Sequence, residues 1–204
     1  HLENYYDIVY LKIYYTYINM SDMKINYIIA TYAGISDKRN YGNINDTLRI
    51  HLSHLVKYSH SLDRITISKA LVEHGKKTWD GYYNIEDIVK QIKCPVVIEE
   101  VVNHGYSNGQ YMRCYEKVKG QFDYYILVED DYIPCTDDFD TKLQIYYNKK
   151  FPNNIGKLAN FTTTDRGNIP LHYDGGIMVS DLTFQKLYSN PHFKNNPTTF
   201  FNIN

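Results

Sequence analysis

Three consecutive carboxylates, Glu129, Asp130 and Asp131, directly follow an apolar run at residues 125–128. A short β-branched and aromatic run of this kind predicts a buried strand. Adjacent acids at a strand end repel one another and need a counter-charge, which magnesium, manganese or calcium would supply. Because side chains alternate along an extended chain, we expect Glu129 and Asp131 on one side and Asp130 on the other. A solvated acidic turn is the alternative.

Composition limits the classes of protein to consider. The chain has 204 residues and a net charge of −1, enough for one α/β domain and without a basic run for nucleic acid or a membrane surface. No segment has the apolar length of a transmembrane helix. The three cysteines, Cys94, Cys114 and Cys135, match neither a zinc pattern nor a disulfide framework, which favours a reducing compartment such as the cytoplasm.

The amino-terminal segment differs from the rest of the chain. Residues 1–22 are rich in Tyr and Ile and lack the layout of a signal peptide, so we interpret them as an extension or a tag-derived segment. Residues 23–204 are predicted to form one domain, because no internal repeat or low-complexity linker interrupts them.

Strand-like and helix-like segments alternate along the domain. This order predicts an α/β fold, with a mainly parallel central sheet and helices on both of its faces. The expected strands are 24–31, 63–69, 95–102, the run ending at Glu129, 157–163 and 176–180. The first expected helix begins at Asn45-Asp46, and the others cover 84–93, 107–119, 137–147 and 181–188. Ser107 is the expected N-cap of the helix 107–119, and Gly120 is the residue expected to end it.

In open α/β sheets, ligands bind where the carboxyl ends of parallel strands meet. Three polar segments are expected there: the loop 31–39 after the first strand, the loop 103–109 after the third, and the acidic cluster after the fourth. A single polar loop is unremarkable, but their coincidence at one edge of the sheet predicts a ligand site.

Four motifs, in this order, resemble the nucleotide-sugar-binding half of GT-A fold glycosyltransferases. They are IIATYAG at 28–34, NHGYSNGQY at 103–111, YYILVEDD at 124–131 and HYDGGIMVS at 172–180. The second is similar to the loop and helix start of family-2-type enzymes, and the third to a DxD motif written here as Glu129-x-Asp131. The small size and AT-rich codon usage also resemble the glycosyltransferase domains of large DNA viruses, which would place the protein in the host cytoplasm or the virion.

The resemblance implies roles for the acidic cluster. Asp131 would bind Mn²⁺ or Mg²⁺, which in turn holds the donor diphosphate, and Glu129 would contact the ribose or a metal-bound water. Asp130 is adjacent and is included as a donor contact. His192 lies where some family members carry a third metal ligand.

The resemblance also implies which residues contact the nucleotide. Thr31 and Tyr32 match the loop that cups the nucleobase and ribose, and the further donor contacts are Asp63, Asn103 and Ser107. Thr31 and Tyr32 could equally be strand-end packing, and Asp63 could equally be a turn residue.

An inverting enzyme needs a carboxylate to deprotonate the acceptor hydroxyl. Asp174, before Gly175-Gly176, is the first candidate, because the glycines would let an acceptor sugar approach the backbone. Asp165 is the second candidate, and each could instead be a turn-forming Asp.

These features predict a metal-dependent glycosyltransferase that moves a sugar from a nucleoside-diphosphate sugar, with UDP-sugar expected, to a hydroxyl of a glycan or glycoprotein. One alternative is a nucleotidyltransferase acting on sugar phosphates. Such an enzyme usually has a Gly-rich, Lys/Arg-containing loop after its first strand, of which TYAGISDKR at 31–39 is a faint version. The other alternative is a carbohydrate-binding module that keeps the fold without activity.

Overall fold

The computed structural model describes residues 23–31, 44–71, 85–102, 104, 106–163 and 171–189. Its strands are β1 (Ile25–Thr31), β2 (Arg64–Leu71), β3 (Val96–Val102), β4 (Tyr124–Glu129), β5 (Lys157–Thr163) and β6 (Leu171–Ser180). Its helices are α1 (Ile44–Tyr58), α2 (Glu86–Val89), α3 (Tyr106–Val118), α4 (Phe139–Lys150) and α5 (Asp181–Ser189). The predicted extension at residues 1–22 lies outside the described residues.

The six described strands form one sheet in the order β3-β2-β1-β4-β6-β5. Strands β1 to β4 are parallel to one another, whereas β6 runs antiparallel to β4 and β5 antiparallel to β6. The carboxyl ends of β1 to β4 therefore meet at one edge of the sheet, which the amino-terminal end of β6 joins. This arrangement confirms the predicted α/β class with a mainly parallel sheet.

Both faces of the central strands are buried, which explains their nearly continuous apolar sequences. Alternate residues of β1, such as Tyr27 and Ile29, pack with α1 and α4 on one face. The residues between them, such as Ile28, pack with α3 and α5 on the other face. Strand β4 divides in the same way, and the sheet thus lies between two helical layers that hold the ends of its strands in place.

Several of the 22 tyrosines fill the second of these layers. The Tyr115 ring stacks on Phe184 at 4.0 Å and meets Tyr125 edge-on at 5.1 Å between ring centroids. The Tyr125 hydroxyl donates to the carbonyl of Val118 at 3.2 Å, and burial, with the nearby Asp181 carboxylate, raises its pKa well above the usual value. These phenols stay neutral and join aromatic packing to hydrogen bonding.

The predicted starts of α3 and β6 differ from the structure. Helix α3 begins at Tyr106, so Ser107 lies inside its first turn instead of capping it. Strand β6 begins at Leu171, five residues before the predicted start, because β5 pairs with its first part through Thr162 and His172. The predicted end of α3 agrees, since Gly120 has a φ of 74°, a left-handed conformation suited to the residue after a helix.

Gly109 is a buried helical residue where only glycine fits. A Cβ at this position would overlap the carbonyl oxygen of His104, which the Arg113 guanidinium also contacts. Helix propensity alone predicts that Gly109→Ala would stabilise the protein by about 1 kcal/mol. We expect the reverse, a loss of roughly 1–3 kcal/mol in the free energy of unfolding measured with urea. The added methyl group could be accommodated only if the backbone at His104 moved away from the helix.

Gly120 is the matched control for this prediction. A Cβ at Gly120 would meet open space, but its φ is positive, so Gly120→Asn should cost only about 1 kcal/mol, because Asn adopts the left-handed region more readily than other side chains. Gly109→Asn should cost at least as much as Gly109→Ala. A gain in stability with either substitution at Gly109 would contradict the close approach of the His104 carbonyl to α3.

Candidate functional site

The acidic cluster lies in a hydrogen-bonded turn at the carboxyl end of β4. The backbone N–H of Tyr132 donates to the carbonyl of Glu129 at 3.1 Å, and β4 ends at Glu129, which lies beside Ala30 of β1. Glu129 and Asp130 are half-buried, and Asp131 is exposed. Strand alternation therefore stops at Glu129. Because Asp131 belongs to the turn, alternation does not assign its side chain to the side of Glu129, and that placement stays a prediction.

His51 of α1 fastens this turn to the core. Its side chain is 0% exposed, and Nδ1 lies 3.0 Å from the backbone carbonyl of Asp130. Because a carbonyl only accepts hydrogen bonds, Nδ1 carries the proton, and in neutral His51 the other nitrogen, Nε2, accepts from the Tyr27 hydroxyl at 2.8 Å. A chain of two hydrogen bonds thus connects β1, α1 and the acidic turn.

His54, one helical turn beyond His51, holds the segment that follows. Its Nδ1 donates to the carbonyl of Pro134 at 2.7 Å. Neither histidine was predicted as a site residue from the sequence, although a signal was present. They are three residues apart on the stripe of α1 that carries Leu48, Leu52 and Leu55, where polar side chains need partners.

The buried imidazole makes stability depend on pH. Burial, opposed by the hydrogen bond to the Asp130 carbonyl, lowers the pKa of His51 to about 4. An unfolded histidine has a pKa of about 6.5, so between these values the unfolded chain binds a proton that the folded protein does not. We expect His51 to remove about 2–3 kcal/mol from the free energy of unfolding as the pH falls from 7 to 4.

Urea denaturation across this pH range would measure the effect. Carboxylates also contribute to acid unfolding, so the His51 part is the difference in pH slope between the wild type and His51→Leu. Equal slopes in the two proteins would contradict the assignment.

Thr31, predicted to contact the nucleotide, lies at the expected edge. It is the last residue of β1 and is buried, and its hydroxyl donates to the carbonyl of Ser68 on β2 at 2.7 Å. This bond holds the two strands together where they end, and so supports the shape of the edge.

Asp63, by contrast, lies at the wrong edge of the sheet. It immediately precedes β2, and its carboxylate accepts from the backbone N–H of Ile25 at 2.7 Å, at the start of β1. The length of a seven-residue strand, roughly 20 Å, separates it from the carboxyl ends. We correct the predicted donor contact: Asp63 ties together the amino-terminal ends of two strands.

The structure describes the backbone positions of two further predicted residues, Ser107 and Asp174. Ser107 is half-buried in the first turn of α3, which follows the carboxyl end of β3. Asp174 belongs to β6, whose register pairs Ile177 with Leu127. Asp174 precedes Ile177 by three residues along β6, toward the edge of the sheet where β4 ends in Glu129. The remaining predicted residues, Tyr32, Asn103, Asp165 and His192, lie outside the described residues.

A cleft of about 460 Å³ begins directly after the acidic turn. Tyr132 and the four residues that follow it form one wall, and Phe139 and Leu143 of α4 form another. The central strands supply its floor, which includes Gly176 of β6. The acidic turn and the cleft are therefore adjacent, because Tyr132 in the cleft lining directly follows Asp131.

The donor set of the turn limits the kind of metal site. Within the described part of the chain, no three His, Cys, Asp or Glu side chains form a group that could enclose an ion. Mg²⁺ commonly uses one or two carboxylates and takes its other ligands from water and substrate phosphates. Glu129 and Asp131 fit a cation that binds together with a diphosphate, and not one held by protein alone.

Comparisons with known proteins identify the fold. No family model and no curated protein sequence matches the chain. A cytidylyltransferase from Leptospira borgpetersenii matches with a TM-score of 0.51 and 16% identity, over 85% of this chain and 72% of that one. The 4-diphosphocytidyl-2C-methyl-D-erythritol synthase from Anaerococcus prevotii matches with a TM-score of 0.50 and 13% identity, over 90% and 84%.

A mouse xyloside xylosyltransferase also matches, with a TM-score of 0.46, 11% identity and coverage of 88% and 80%, which is too low to bear on the fold. None of the helices in the described ranges is long and apolar enough to cross a membrane. Because the sequence identities are low, these similarities establish only the architecture of the chain. The chain shares the α/β architecture of the Leptospira cytidylyltransferase and the Anaerococcus synthase.

Proposed function

We propose that this protein is a metal-dependent glycosyltransferase that moves a sugar from a nucleoside-diphosphate sugar, with UDP-sugar expected, to an acceptor hydroxyl such as that of a glycan or glycoprotein. The observation that carries this proposal is the acidic turn. Glu129 and Asp131 lie at the carboxyl end of a central strand, and His51 anchors the turn through the carbonyl of Asp130. Preorganised charge at such an edge suits a diphosphate and its cation.

Asp131 and Glu129 would hold Mn²⁺ or Mg²⁺ through their carboxylate oxygens. When bound, the cation supplies positive charge to the diphosphate and favours its departure. The predicted third ligand, His192, and the donor contacts Tyr32 and Asn103 remain predictions from the sequence. Thr31, at the end of β1, and Ser107, in the first turn of the helix that follows β3, are consistent with a nucleotide lying across that part of the edge.

The reaction would be a direct displacement with inversion. The acceptor oxygen forms a bond to the anomeric carbon, while the bond from that carbon to the diphosphate oxygen breaks. The nucleoside diphosphate leaves with the electron pair, and Asp174 takes the proton of the hydroxyl. The position of Asp174 on β6 supports this choice, since it lies three residues before Ile177, which pairs with Leu127 of the strand that ends in Glu129. Asp165 is the second candidate for the base.

A nucleotidyltransferase is the second candidate function. Paired acids at a strand end also hold magnesium for phosphoryl chemistry. One solved structure of similar fold is named a cytidylyltransferase and another a 4-diphosphocytidyl-2C-methyl-D-erythritol synthase. The sequence between Thr31 and Arg39 contains one glycine, fewer than a phosphate-binding loop of such an enzyme would favour. We therefore rank sugar transfer first.

A screen of nucleotide sugars by thermal shift, with and without manganese, tests the proposal. A ligand that binds only the native state raises the unfolding midpoint, and we expect this shift to require the metal. Product analysis then separates the candidates. Release of UDP or GDP from a nucleotide sugar supports sugar transfer, whereas pyrophosphate from a nucleoside triphosphate and a sugar phosphate would establish nucleotidyl transfer. Binding without turnover on any acceptor would favour a binding module.

A further inference from the structure

The cleft that follows the acidic turn has a lining unlike that of a sugar site. Its outer wall is residues 132–136, and we call it the 132–136 cleft. At about 460 Å³ it lies within the range of small-molecule pockets. Its lining is mostly aromatic and aliphatic, with Tyr27, Ile126, Val128, Ile133, Phe139 and Leu143 among its members.

Two polar groups of this lining are engaged in hydrogen bonds within the protein. Lys142 is the one charged residue among the described lining residues, and its ammonium donates to the backbone carbonyl of Asp137. The hydroxyl of Tyr27 is hydrogen-bonded to His51. Because a sugar ring needs several hydrogen-bonding partners, this cleft suits an aromatic or branched aliphatic group better than a free sugar.

The cleft also connects the two parts of the proposed reaction site. Tyr132, in its outer wall, directly follows Asp131 in the chain. Gly176, in its floor, lies two residues from Asp174 along β6. A group seated in the cleft would therefore lie next to the two chain segments that carry the proposed metal ligands and the proposed base.

We propose that the 132–136 cleft binds the apolar part of the acceptor, so that the preferred acceptor is a hydroxyl compound with an aromatic or branched aliphatic group, such as an aryl glycoside. This inference rests on the proposed function and specifies its acceptor. The bonds made and broken are those of the sugar transfer described above, and the cleft contributes binding and orientation.

Cys135 provides a reporter inside the cleft. It is exposed and belongs to the lining, whereas burial raises the pKa of both Cys94 and Cys114 to about 11. Iodoacetamide near pH 8 should therefore modify Cys135 first. We expect 2-naphthyl β-glucoside to slow this modification at least five-fold at saturation, with methyl β-glucoside, its matched control, leaving the rate unchanged.

Thr136→Trp tests the location, because Thr136 is exposed at the cleft and a large side chain there would obstruct it. The matched control is Lys149→Trp, at an exposed position of α4 outside the lining. Protection of Cys135 should be lost in Thr136→Trp and kept in Lys149→Trp. Equal protection in both variants, or a Cys135 that is unreactive in the free folded protein, would overturn the inference.

Activity separates this inference from the proposed function. With donor and manganese, kcat/KM for the naphthyl glucoside should exceed that for the methyl glucoside at least ten-fold. Equal values would overturn the acceptor assignment and leave sugar transfer standing. Asp131→Asn should keep full protection of Cys135 while losing transfer, because the cleft does not use the metal. Protection in the wild type without transfer to either glucoside would instead overturn the proposed function.

Discussion

Asp131→Asn is expected to lower kcat for metal-dependent sugar transfer by a factor on the order of 10² to 10³, and to remove the thermal stabilisation by a nucleotide sugar with manganese. The substitution keeps the size of the side chain and removes the negative charge that would hold the cation. A preorganised charge in a reaction site contributes about this much to catalysis. Asp131 is exposed in a turn, so the free energy of unfolding should change little.

Asp137→Asn is the matched control, because Asp137 is an exposed acid six residues further along the same segment. It should keep both transfer and donor binding. Initial rates of nucleoside diphosphate release, measured over a manganese titration, would separate lost metal affinity from lost turnover. Unchanged donor binding and transfer in Asp131→Asn would refute the metal role of the acidic turn.

His51→Leu should lower the free energy of unfolding by roughly 2–5 kcal/mol at pH 7. It leaves the buried Tyr27 hydroxyl and the half-buried Asp130 carbonyl without the imidazole that joins them. Each unsatisfied buried group costs about 1–3 kcal/mol. Loss of the anchor should also reduce sugar transfer, because the acidic turn is then held less firmly.

Urea denaturation of a double-mutant cycle would identify the cause. Tyr27→Phe combined with His51→Leu should cost less than the sum of the single changes, because the double variant no longer strands the hydroxyl. His54→Leu, which removes one bond from a half-buried side chain, should cost only about 1 kcal/mol. Additive costs for Tyr27 and His51 would argue against a direct hydrogen bond between them.

The amino-acid sequence by itself determined the order and approximate ends of the strands and helices. Residues 125–128 form a continuous apolar run because β4 is buried on both faces, and its carboxylates mark where the strand ends. Gly120 marks the end of α3, since its left-handed backbone strongly favours glycine. These are local properties of a few neighbouring residues, and they sufficed to locate the acidic cluster at a sheet edge.

Only the tertiary structure decided how that cluster is held and what lies beside it. His51 and Asp130 are separated by 79 residues, and no periodicity connects them. Strand alternation could not place Asp131, because a hydrogen bond from Tyr132 turns the chain after Glu129. Asp63 looked suitable by residue type, but the direction of β2 puts it at the opposite edge.

The apolar cleft likewise exists only where α4, the segment 132–136 and the antiparallel strand β6 come together. The physical reason is the same throughout. Short-range sequence patterns report which residues are buried, whereas hydrogen-bond partners, strand direction and cavities arise between segments distant in the chain. For the acidic turn, the sequence determined its charge and its place after β4, and the fold supplied the histidine anchor and the neighbouring cleft.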